Sequence, residues 1–165
     1  MWLMLRLFRL ALWASRALCA VGVLLAATAC DPVSEVRVRG LTRPAPNTDC
    51  LARALANSPF VATFHQSTDT RNPGLDVALR DPLKIEAIDP DAHVRLVTGK
   101  GDTTEVEVSF VLYGRPTWGV DKEDSRRLES IGNGIARDVI KSCAPGSPEK
   151  LSCRVAGWPW SRSCS

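Results

Sequence analysis

Six cysteines, Cys19, Cys30, Cys50, Cys143, Cys153 and Cys164, are the residues of this chain most able to form bonds of their own. The last four form an even set, which in an oxidising compartment reads as two disulfides. A structural zinc site is the rival reading. Cys143, Cys153 and Cys164 stand roughly ten residues apart, without the short Cys-x-x-Cys knuckles that tetrahedral zinc favours. Asp89, Asp91 and His93 alternate, so on an extended segment they would project to one side and could meet a divalent cation. The solvated end of a strand explains the same pattern. His65, the only other histidine, is placed near them by nothing in the sequence.

Signatures of catalysis are mostly missing. The chain has no His-Glu-x-x-His, no Gly-x-Ser-x-Gly and no phosphate-cradling glycine loop. Ser147-Pro148-Glu149-Lys150 matches Ser-x-x-Lys, the nucleophile motif of penicillin-binding proteins and class A β-lactamases. It lies in a Pro/Gly turn without the Ser-Asp-Asn and Lys-Thr-Gly partner elements, so coincidence is the better account. No metal or cofactor is assigned. The aromatic residues are more suggestive, because Tyr113, Trp118, Trp158 and Trp160 cluster late in the chain. Tryptophan and tyrosine offer large contact areas with a polar handle, which makes these four candidate partner-binding residues. Alternatively, Trp158-Pro159-Trp160 folds back over a sheet edge or the helices.

Charge sets the compartment and the partners apart. The chain carries 21 basic and 18 acidic residues for a net +3, and Arg6, Arg9 and Arg16 of the leader account for that excess. The rest balances. A neutral domain lacks the electrostatic footprint of nucleic-acid binding, so no nucleic-acid partner is expected. After the arginines, residues 17–29 are uncharged and end in small side chains, the order of a bacterial export signal. That run is too short for a permanent span, and cleavage is expected. Cutting before Cys30 would leave five cysteines and strand one thiol unless Cys30 is consumed.

Ala26-Ala27-Thr28-Ala29-Cys30 resembles the lipobox of bacterial lipoproteins, with Ala27 where leucine is commonest. The resemblance covers only the first thirty residues. It implies a diacylglyceryl thioether and an N-acyl group on Cys30, and thus stable attachment to a membrane. Asp31 resembles the signal that retains enterobacterial lipoproteins in the inner membrane. The expected organisation is a signal peptide over residues 1–29, a lipid-anchored N-terminus over 30–34 and one periplasmic domain over 35–165 with a disulfide-bounded tail.

The elements that must position these groups follow from periodicity. Val36 and Val38 mark a short strand, after which Pro44 and Pro46 forbid regular structure over 40–47. A helix follows, capped by Asn47 or Thr48 and ending at Asn57-Ser58-Pro59. Phe60, Ala62 and Phe64 alternate with Val61, Thr63 and His65 as a second strand, and Leu83, Ile85 and Ala87 suggest a third. Val94 and Leu96, a Gly99-Lys100-Gly101-Asp102 turn, then Val106, Val108, Phe110 and Leu112 predict a central hairpin with one wet face. Leu128, Ile131, Ile135 and Val139 share the face of a second helix, in which Gly132 and Gly134 imply close backbone contact or a break.

This order predicts an α+β two-layer fold, an antiparallel sheet of four to five strands with two helices on one face. A ferredoxin-like split βαβ arrangement is one version, with residues 151–156 as its last strand. Antiparallel helices would bring Cys50 beside Cys143, leaving Cys153 for Cys164. The functional expectation is a membrane-anchored periplasmic lipoprotein, a non-enzymatic binding or assembly module whose partner is an envelope protein or polymer. The alternatives are an inhibitor or immunity-type lipoprotein neutralising an enzyme or toxin, and a small metal-dependent envelope hydrolase acting through Asp89, Asp91 and His93.

Overall fold

The computed structural model describes residues 33–68, 74–80, 91–98, 103–114, 120–157 and 161–164. Seven strands and two helices follow in the order β1 (Val33–Thr42), α1 (Thr48–Asn57), β2 (Val61–Gln66), β3 (Gly74–Leu79), β4 (Asp91–Thr98), β5 (Thr104–Tyr113), α2 (Lys122–Cys143), β6 (Leu151–Gly157) and β7 (Arg162–Ser163). The class is α+β, but among the described residues the sheet has seven strands rather than four or five, ordered β2-β3-β4-β5-β1-β6-β7. All neighbours are antiparallel. β1 lies between β5 and β6 and pairs antiparallel with both, so β4-β5-β1-β6, with α1 ahead of β4 and α2 joining β5 to β6, has the strand order of the split βαβ arrangement, extended by β2 and β3 at one edge and by β7 at the other.

The additional strands have readable causes. Leu75, Val77 and Leu79 alternate and form β3, with Leu75 and Val77 buried, whereas the strand expected at Leu83, Ile85 and Ala87 lies outside the described residues. β7 has two residues and too little length to show a period. β1 runs to Thr42, past the Gly40 boundary expected from the prolines. A bulge between Val61 and Thr63 resets the phase of β2. Val61 is therefore buried in the core while His65, expected on the same side, points the other way with Asp76.

Both helices have acidic starts and polar caps. Asn47 accepts from Cys50 N at 2.8 Å and Asp121 from Asp124 N at 2.7 Å, each satisfying a donor that the helix leaves unpaired. The core-facing rows of the sheet, including Val36, Val38, Val94, Val106, Val108 and Phe110, are buried against Leu51, Leu55, Leu128, Ile135 and Val139. α2 is unbroken at its glycines because they are contact points. A Cβ on Gly132 would stand 2.7 Å from Val38 Cγ2, and one on Gly134 2.3 Å from Phe60 Cε2. Phe60 precedes β2; its carbonyl accepts from Arg80 N at 2.8 Å while its ring packs there against α2.

Disulfides join Cys50 to Cys143 and Cys153 to Cys164, with Cα separations of 5.7 and 5.5 Å. The first ties the start of α1 to the end of α2. The second ties β6 to the segment after β7. No described helix is long and apolar enough to cross a membrane.

Candidate functional site

The side of the sheet opposite the helices has no second layer among the described residues. Its side chains come from the alternate positions of the buried rows, and direct cross-strand pairing aligns them. One row crosses all seven strands: His65, Asp76, His93, Ser109, Arg37, Arg154 and Ser163. The next contains Gly74, Arg95, Glu107, Arg39 and Ser152. Such rows arise because strict alternation places every second residue of a strand on the same face.

Glu107 organises the second row. Its side chain is fully buried although it lies on the face without helices. Arg39 donates from Nε to Oε2 at 2.5 Å and Arg95 from Nε to Oε1 at 2.6 Å. One carboxylate thus holds two guanidiniums, and their stems cover it from water. Arg37 donates to Glu35, and this hydrogen bond, helped by the charges of Glu35 and Glu107, keeps its guanidinium pKa above the ordinary value despite burial. Arg154, directly opposite Arg37 on β6, is exposed and makes no ion pair with another described residue.

The first row has a different chemistry at its other end. His93 Nδ1 lies 2.6 Å from Asp76 Oδ1, and His65 Nε2 lies 3.5 Å from Asp76 Oδ2. Because an ionised carboxylate only accepts, the close His93 nitrogen is the protonated one. Asp76 and His93 line a groove of about 440 Å³ that also meets Arg37, Arg95 and Ser109. A second groove of about 390 Å³ runs between Arg37, Arg39, Glu105 and Arg154.

The sequence-derived candidates separate as follows. Asp91 and His93 do share a face on β4, but the acid in contact with His93 is Asp76, from β3. Asp89 lies outside the described residues. The Ser147 hydroxyl accepts from Arg43 N at 2.6 Å and donates to Arg43 O at 3.0 Å, so it is occupied in tying a turn to the end of β1. Tyr113 is 54% exposed at the end of β5, opposite the exposed Val33. Trp118, Trp158, Trp160 and Cys30 lie outside the described residues. Asp76, Glu107 and Arg154 were not singled out by motif; the polar positions of alternating strands are the signal that points to them.

The fold and this face define a disulfide-stapled α+β domain with one helix-covered and one charged sheet face. No family model matches the chain, and no curated protein matches it.

Proposed function

We propose that the protein is a lipid-anchored periplasmic lipoprotein, a non-enzymatic binding or assembly module of the cell envelope, and that a protein partner docks on its open sheet face. The observation that carries the docking surface is the exposed Arg154 beside Arg37. Like charges directly opposite on neighbouring strands destabilise a sheet. A partner that brings carboxylates to the groove between Arg37, Arg39 and Arg154 relieves this repulsion. Size favours a protein over a small ligand: seven strands span about 30 Å and a ten-residue strand about 33 Å, close to the roughly 800 Å² that each side of a stable interface buries. The anchor rests on the lipobox resemblance at Cys30 and on cysteine parity.

Photo-crosslinking in the native envelope tests the face. With the photoreactive residue at position 154, one protein should be captured, and Arg37→Glu should abolish that capture. With the probe at Arg126, exposed on the outer side of α2, the same protein should not be captured. Equal capture from both positions would refute docking on the sheet. For the anchor, Cys30→Ala should yield unprocessed precursor or released protein; a normally processed, membrane-bound variant would refute it.

A further inference from the structure

The geometry points to a divalent transition-metal site, of the zinc type, formed by His65, Asp76 and His93. The three residues lie on adjacent strands β2, β3 and β4 and are direct cross-strand neighbours, His65 with Asp76 and Asp76 with His93. Side chains so paired project from points about 5 Å apart on one face. Two imidazoles and a carboxylate are a donor set that zinc accepts, and three protein ligands leave a fourth position for water or another ligand.

The distances bear on this assignment. His65 Nε2 stands 3.5 Å from Asp76 Oδ2, long for a hydrogen bond. It is close to the roughly 3.4 Å that separates two donors each bound at about 2.1 Å to one tetrahedral ion. His93 Nδ1, at 2.6 Å from Oδ1, needs to withdraw by less than about 1 Å to reach the same separation. Its ring then carries its single proton on Nε2 and offers the Nδ1 lone pair to the metal. The His65 side chain is 74% exposed on an edge strand, so its ring can turn inward without disturbing the core. The open coordination position would face the groove that Arg37, Arg95 and Ser109 share. His65 and His93 approach opposite oxygens of Asp76, and the three donor atoms do not yet lie within 4.8 Å of one another, so it is the turn of the exposed His65 ring toward His93 that would close the site. The group of described ligand-type residues that already meets that separation, Glu129 with Cys153 and Cys164, has both its sulfurs in a disulfide.

Zinc titration of the full mature protein, purified without a histidine tag, tests the site by calorimetry and metal analysis. One zinc per chain is expected, with affinity reduced about tenfold or more by His65→Ala, His93→Ala or Asp76→Asn. Zinc should also raise the melting temperature of the wild type and not that of the His65→Ala/His93→Ala double variant. The melts without zinc show whether the variants fold; His65→Gln, at the most exposed position, keeps the test available if the others do not. No zinc uptake by the folded wild type, or equal uptake by the folded double variant, would overturn the site. These outcomes do not depend on the lipid anchor or on the docking surface.

Discussion

On the helix side the sheet presents Val36, Val38, Val94, Val106, Val108 and Phe110, all buried among hydrocarbon. On the other side, the residues between them are Glu35, Arg37, Arg39, His93, Arg95, Glu107 and Ser109. Both faces belong to the same strands, yet one is closed by a layer of helices and the other by ion pairs lying flat on the sheet. Both disulfides also belong to the covered side, since Cys50 lies at the start of α1, Cys143 at the end of α2, and Cys153 is register partner of core-facing Val38. The comparison teaches where stability resides: covalent and apolar constraints on one face free the other to carry charge.

If this division holds, the largest loss should come from Cys50→Ala/Cys143→Ala. The bridge closes a loop over a sequence separation of 93, for which the chain-entropy model gives about 4 to 5 kcal/mol, against about 3 kcal/mol for the separation of 11 at Cys153–Cys164. Urea melts of the two double variants should rank in that order. Phe110→Ala should cost about 4 kcal/mol by emptying a fully buried aromatic position. A denaturation midpoint barely displaced by Phe110→Ala would show that the covered face is not the stabilising one.

Glu107→Ala probes the boundary between the two regimes, because Glu107 is as buried as the core yet sits on the charged face. Its loss leaves Arg39 and Arg95 without their shared acceptor. The guanidiniums are partly exposed and water can replace the carboxylate, so about 2 to 3 kcal/mol is expected rather than the larger cost of a wholly buried pair. Denaturant titration measures it. A change below about 0.5 kcal/mol would mean that Glu107 is no more structural than an ordinary surface acid.

Much of the covered face was legible in the sequence, because burial imposes a period. The β4–β5 strands and α2 repeat their apolar residues every two or every three to four positions, and the glycines of α2 signal close approach. The charged face was less legible for three reasons. The bulge in β2 changes which way His65 points, and only a paired partner reveals it. Asp76 lies in a six-residue strand that follows a turn-rich stretch, so its alternation of Leu75, Val77 and Leu79 is short. Glu107 reads as one of several polar positions on a wet strand; its burial depends on arginines from β1 and β4, whose register no local pattern contains.

The smallest expected effect on stability separates the faces most sharply. Arg154 is exposed, unpaired with any described acid and directly opposite Arg37. Replacing it with alanine removes a like-charge neighbour and no packed contact of the core, so stability should change by less than about 0.5 kcal/mol and in the stabilising direction. A residue with nothing to gain in the isolated domain and a repulsive neighbour contributes nothing to folding. If its benefit lies in recognition, Arg154→Ala should weaken capture of the partner at other open-face probe positions while the melting curve stays in place. Arg126→Ala, an equal loss of charge on the helix side, should change neither. A destabilised Arg154→Ala protein would instead make this arginine part of the scaffold, and the charged face would then be a second structural layer rather than a surface for binding.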